Sequence, residues 1–100
     1  MSSAALNSAD LSAAVLSGAV MNGSWLHGAD LNGTNLTGAD MRSVHMSSAV
    51  LTGADFTNAD LTGAVLTGAV YDAKTKFPAG FSPEAHGMIK RAEGIVDRVE

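Results

Sequence analysis

A large apolar residue recurs every fifth position, without interruption, for seventy residues. Leu6, Leu11, Leu16, Met21, Leu26, Leu31, Leu36, Met41, Met46, Leu51, Phe56, Leu61, Leu66 and Tyr71 form the series. Two positions before each stands a small residue, from Ala4 and Ala9 through Ser24 and Thr34 to Ala64 and Ala69. Two positions after many of them comes glycine, at 18, 23, 28, 33, 38, 53, 63 and 68. An α-helix has no use for this period, because five residues advance about 500° and spread the large side chains around every side. A plain strand fails too, since an odd period reverses the face at each repeat. The pattern is satisfied if five residues make one short extended segment and one corner. The small and the large residue, two apart, then share the inner face. The residue between them points out, and glycine tolerates the bend.

The unit reads A(D/N)LxG, as in Ala9-Asp10-Leu11, Ala29-Asp30-Leu31, Ala39-Asp40-Met41, Ala54-Asp55-Phe56 and Ala59-Asp60-Leu61. Residues 4–73 thereby resemble the pentapeptide-repeat family. The segment Tyr71-Asp72-Ala73-Lys74-Thr75-Lys76-Phe77-Pro78, with Gly80-Phe81 and Pro83-Glu84, is similar to the ending of many cyanobacterial members. The resemblance implies an all-β fold, a square right-handed β-helix with four pentapeptides per coil. The coils would be 4–23, 24–43 and 44–63, with a half coil at 64–73. About 3.5 coils at ~4.8 Å per layer give a tower roughly 17 Å tall. Side chains twenty residues apart would stack in columns, and each buried Leu contributes roughly 1.5–3 kcal/mol.

Residues 74–81 are expected to form a lid through Phe77 and Phe81. Phe81 keeps the five-residue register and Phe77 is one residue off it. Ser82-Pro83-Glu84 then reads as a helix start, with Ser82 as N-cap and an acid in the first turn. Ala85, Met88, Ile89, Ala92, Ile95, Val96 and Val99 follow helical spacing, which predicts a C-terminal α-helix over 82–100. From Pro83 to Val99 such a helix would reach about 25 Å and project past the lid, so its apolar face is expected to meet a second copy. The N-terminal coil has no roof among the three residues before Ala4, and is the rival site for association.

Bulk properties narrow the function. Six aspartates face Arg42 alone in residues 1–73, and the whole chain carries −4, which disfavours direct nucleic-acid binding. The absence of cysteine removes disulfides, thiolate metal sites and a Cys nucleophile. It fits a reducing compartment, and with no signal peptide at Met-Ser-Ser-Ala-Ala the expected location is cytoplasmic. No run approaches the ~20 apolar residues of a membrane span. No Ser–His–Asp set or phosphate-binding loop stands out, because the serines and glycines are periodic. An enzyme is not expected, nor a cofactor.

Placing the outward residues on four faces is informative. The first carries Trp25, His27, His45 and Val65; the second Asp10, Asp30, Val50 and Val70. The third holds Val15, Asn35 and Asp55, and the fourth Val20, Asp40, Arg42 and Asp60. His27 and His45 would lie roughly 8 Å apart by strand geometry, with no Cys or Asp beside them, so a metal site is not expected. The valines and Trp25 depart from the polar residue usual in the family, and exposed apolar patches often mark contacts. Trp25, Val65, Val50 and Val70, with the apolar residues of the tail, are therefore the candidate interaction residues. The expected function is a non-catalytic protein-interaction or scaffold module that self-associates as a homodimer, its other protein partner unidentified. The resemblance also implies an alternative, since quinolone-resistance members are acidic rods that occupy the DNA site of a type II topoisomerase.

Overall fold

The computed structural model describes residues 3–91. The chain winds as a tower in which each outward residue from Ala5 to Val50 forms a parallel bridge with the residue twenty further on. The first face stacks Ala5, Trp25, His45 and Val65. The second stacks Asp10, Asp30, Val50 and Val70, the third Val15, Asn35 and Asp55, the fourth Val20, Asp40 and Asp60. The bridges are single, because a five-residue unit leaves only one ladder position between corners. Two bonds tie each to the layer below: Asp60 N–H donates to the Ala39 carbonyl (2.9 Å) and Met41 N–H to the Asp60 carbonyl (2.8 Å). A third bond ties each corner, as in Ser43 N–H to Thr62 carbonyl (2.8 Å).

The large residues fill the axis. Met21, Leu26, Leu31, Leu36, Met41, Met46, Leu51 and Phe56 are fully buried, with Leu61, Leu66 and Tyr71 nearly so. Leu6, Leu11 and Leu16, at the base, are only partly buried. Polar residues at the small inner position are bonded: Thr34 Oγ1 donates to the Leu11 carbonyl (2.7 Å) and Ser24 Oγ accepts from Ala4 N–H (3.2 Å).

Every corner needs a left-handed residue. Where glycine is lacking, Ser3, Ser8, Ala13, Ser43, Ser48 and Asn58 adopt φ near +60°. Ser and Gly alternate up two corner columns, and the spacing explains why. A Cβ placed on Gly63 would lie 3.3 Å from Ser43 Oγ, and one on Gly68 3.5 Å from Ser48 Oγ. The glycine above leaves room for the serine below.

The regular period ends at Tyr71, but the tower does not, so the half coil at 64–73 is corrected to one that continues onto a third face. Lys76 pairs with Asp55, an offset of twenty-one. The extra residue is absorbed at Asp72, whose carboxylate accepts Gly53 N–H (3.0 Å) and Lys74 N–H (3.1 Å). It replaces the carbonyl that a regular coil would have offered to the Gly53 corner. Burial works to raise the Asp72 carboxyl, but these bonds prevail and hold it below the usual value. Thr75 Oγ1 bonds the Leu51 carbonyl (2.9 Å), repeating the device of Thr34. The insertion also explains the offset of Phe77: its ring stacks on Phe56, with centroids 6.1 Å apart and planes within 4°. Phe81 stacks on Phe77 at 5.0 Å.

The helix expected from Ser82 does not form within the described residues. Glu84–His86 make one 3₁₀ turn, Pro83 begins it, and no side chain caps it. Gly87 ends the turn in the left-handed region at φ 71°. The chain then re-enters the ladder as strand Ile89–Lys90, parallel to strand Val70–Tyr71. Helix would have forfeited the bonds from Gly68 N–H to the Gly87 carbonyl, from Ile89 N–H to the Ala69 carbonyl and from Arg91 N–H to the Tyr71 carbonyl. It would also have withdrawn Met88 from the core, where it sits above Ala69. A glycine-interrupted helix of low propensity loses to a ready edge. Ala92, Ile95, Val96 and Val99 lie outside the described residues.

Candidate functional site

Two adjoining faces carry the apolar candidates. On the first, the Trp25 indole lies flat on the His45 imidazole, with centroids 4.1 Å apart and planes within 5°. Bridge register stacks these rings because the residues are twenty apart. Val65 stands above them, and Trp25 and Val65 remain 47% and 39% exposed. Around the corner Val50 and Val70 are half-buried, and Ile89, 56% exposed, tops their column. The tower's upper half thus shows apolar residues on two consecutive faces. Below them on the second face lie Asp10 and Asp30. Sequence reasoning placed Ile89 on a helix; its true position emerges only from the offset of nineteen.

His27 sits at a corner, its backbone N–H bonded to Asn7 Oδ1 (2.9 Å). Among the described residues no group of three or more His, Cys, Asp or Glu is gathered to hold a metal. The most exposed valine, Val15, lies low on the third face, with Val20 (51% exposed) at the same level on the fourth, away from the upper valines.

The surface acids of the second, third and fourth faces are locally satisfied. Asp10, Asp55 and Asp60 each accept from the hydroxyl two residues on, Ser12 (2.6 Å), Thr57 (2.5 Å) and Thr62 (2.6 Å), and from that residue's N–H. Hydroxyl first and N–H second, these bonds hold the three carboxyls below the usual value. Arg42 grips Asp40 with both ends of its fork, Nε to Oδ1 and Nη2 to Oδ2 at 2.8 Å each. Tyr71 OH donates to Glu84 (3.0 Å), tying the 3₁₀ turn to the core.

A shallow recess of about 330 Å³ opens on the fourth face between Ala59–Gly63 and Pro78–Phe81, with His86 at its side. It is wide and outward-facing, and within it the Thr62 hydroxyl is bonded to the Asp60 carboxylate (2.6 Å). Among the described residues no helix is long and apolar enough to cross a membrane.

The sequence matches the family described as pentapeptide repeats in eight copies, over residues 1–33 and 29–68. The chain belongs to this family, whose members are right-handed β-helices and generally non-enzymatic repeat modules. It is similar to alr5209, a pentapeptide repeat protein from Nostoc Pcc 7120. That similarity has 34% identity and a TM-score of 0.88, covering 89% of this chain and 74% of that one. It is also similar to Rfr23 from the cyanobacterium Cyanothece 51142, with 26% identity and a TM-score of 0.50, covering 77% of this chain and 63% of that one. The likeness therefore extends to cyanobacterial-type members. No curated protein matches the chain.

Proposed function

We propose that this chain is a non-catalytic interaction module that docks protein through the apolar pair of faces and associates with a second copy of itself there. The supporting observation is the Trp25–His45 stack under Val65, adjoined by the Val50–Val70–Ile89 column. A flat indole held by stacking presents large contact area with little side-chain freedom left to lose, which suits an anchor residue. The helix-mediated contact expected from the sequence loses its basis, because Met88 is buried and Ile89 is on a wall of the tower.

Light scattering on the full chain and on the double variant Trp25→Ser, Val65→Ser tests this. The full chain is expected to dimerise at high micromolar concentration and the variant to be monomeric with an unchanged circular dichroism spectrum. A full-length monomer removes self-association. A dimer that survives both substitutions moves the contact off this face.

The topoisomerase-mimic alternative draws less support. The strand-centre acids divide among three faces, with Lys76 above Asp55 and Arg42 clamped on Asp40, rather than forming one stripe. Submicromolar inhibition in a gyrase supercoiling assay would reverse that ranking.

A further inference from the structure

The ladder runs to the top of the tower on the second face and stops early on the fourth. Asp40 is bridged to Asp60, but Asp60 has no bridge partner above it among the described residues. One level lower, the Ala39 carbonyl and the N–H groups of Met41 and Ser43 are engaged by Asp60 N–H, the Asp60 carbonyl and the Thr62 carbonyl. The same three groups in the next layer, the Ala59 carbonyl and the N–H groups of Leu61 and Gly63, take no partner among the described residues. They line the recess of about 330 Å³, near the lower end of the ~300–1,000 Å³ typical of binding clefts.

The cause is local. Pro78 cannot donate, and Phe81 N–H folds back onto the Pro78 carbonyl (3.2 Å) with Gly80 at φ 79°. Residues 78–81 make their own turn instead of lying along Asp60. An unmade stretch of ladder between layers is a template for an incoming extended chain.

We infer that this gap is a β-augmentation site for a short extended segment of a partner protein, with a basic residue placed over Asp60. Its main chain would repeat the bonds of the layer below: N–H of the basic residue to the Ala59 carbonyl, its carbonyl to Leu61 N–H, and the carbonyl two residues on to Gly63 N–H. The charge preference has a precedent in this chain, where Lys76 sits over Asp55 and helps to keep it ionised. Asp60 is exposed and its Oδ1 is pinned by Thr62, leaving Oδ2 without a hydrogen bond among the described residues. The neighbouring Arg42 is occupied by Asp40. His86 directs Nδ1–H to the Ser82 carbonyl (2.8 Å), which can only accept. Phe81, twenty residues after Leu61, already packs against the core, so the residue following the basic one must be small. The site lies on the fourth face and is independent of the Trp25 surface.

The probe is the peptide acetyl-Ala-Lys-Gly-Thr-amide, titrated into the isotope-labelled full chain at neutral pH and followed by amide spectra and hydrogen exchange. Leu61 and Gly63 amides are expected to exchange fast in the free chain, then to shift and slow on binding. Asp60→Asn should weaken the affinity about two- to five-fold, the range for a cross-strand charge pair, with the spectrum otherwise unchanged. Replacing Lys by Glu in the peptide should weaken it further. Unmoved Leu61 and Gly63 amides at millimolar peptide overturn the site. Slow exchange of both in the free chain overturns it as well, because the gap is then closed by this chain itself. Binding indifferent to Asp60→Asn refutes the preference for a basic residue.

Discussion

The first coil and the third are built from the same unit, yet their cores differ. In the third, Met46, Leu51 and Phe56 are sealed by a coil on each side. In the first, Leu6, Leu11 and Leu16 repeat the motif but stay partly exposed, and the N–H groups of Asp10, Val15 and Val20 find no backbone acceptor among the described residues. The unit specifies where a side chain points; its burial depends on the layers above and below. Nearest-neighbour stacking is the stabilising term in a solenoid. The upper end is finished by other means. Phe77 and Phe81 continue the stack above Phe56, Asp72 repairs the one-residue insertion, and Ile89–Lys90 covers the Val70–Tyr71 edge.

The largest test of this contrast uses one charge in two coils. Leu36→Asp should abolish folding, because a fully buried carboxylate there has neither water nor a partner. Leu11→Asp, whose side chain already reaches solvent, should leave a folded protein of lowered melting temperature. Thr37→Asp, pointing outward, should be tolerated. Circular dichroism distinguishes the three. Equal loss in Leu11→Asp and Leu36→Asp would mean that the base is as closed as the middle.

The upper finish is tested at Asp72. Removing its carboxylate by Asp72→Ala leaves the Gly53 corner N–H without an acceptor and frees the inserted residue. Loss of hydrogen bonds to a charged acceptor costs about 1.5–3 kcal/mol, to be read from urea unfolding. An effect within error would mean that the Phe77 stack alone holds the fourth coil in place.

Much of this was legible from spacing. The period of five dictated the inward and outward columns, and the face assignments for Trp25, His45, Asp40 and Asp60 follow from adding twenty. What spacing could not deliver lies after Tyr71. The motif is lost there and the offset changes to twenty-one at Lys76 and nineteen at Ile89. Pro83-Glu84 with apolar residues at helical intervals is a genuine local signal, and the structure honours it for one turn. The competing term was long-range: an open edge with bonds to offer, which no local pattern reveals. Phe77 carried a clue, since an aromatic one residue off register before a proline suggests an insertion. The gap above Asp60 had none, because it comes from a turn closing on itself.

The corners give a smaller test, again in two places. Gly63→Ala puts a Cβ into the left-handed region and into contact with Ser43 Oγ, 3.3 Å away. The strain should cost about 1–2 kcal/mol. Ala13 already bears that strain at φ 60° in the base coil. Ala13→Gly relieves it but adds freedom to the unfolded chain, so a net gain of about 0.5 kcal/mol is expected. A destabilised Ala13→Gly would show that Ala13 contributes packing rather than strain.

The smallest effect sharpens the comparison, because here the two coils should agree. Asp10 in the base and Asp60 in the third coil both lie at the surface, and each takes a 2.6 Å bond from the hydroxyl two residues on. Each is held below the ordinary value of 3.8, first by that hydroxyl and then by the N–H of the same residue. A carboxyl depressed in the folded state contributes stability that is fully present above the unfolded value and is lost as pH falls through the folded one. Melting temperature should therefore hold steady on this account above pH 3.8 and decline below it. Ser12→Ala and Thr62→Val each remove one hydroxyl and should flatten that acid limb slightly. Their effects should be nearly equal, since neither bond depends on a covering layer, and Arg42 adds only a lesser contribution at Asp60. A markedly larger change for Thr62→Val would show that the fourth face is coupled to the layers above it, with the contrast between coils extending from the core to the surface.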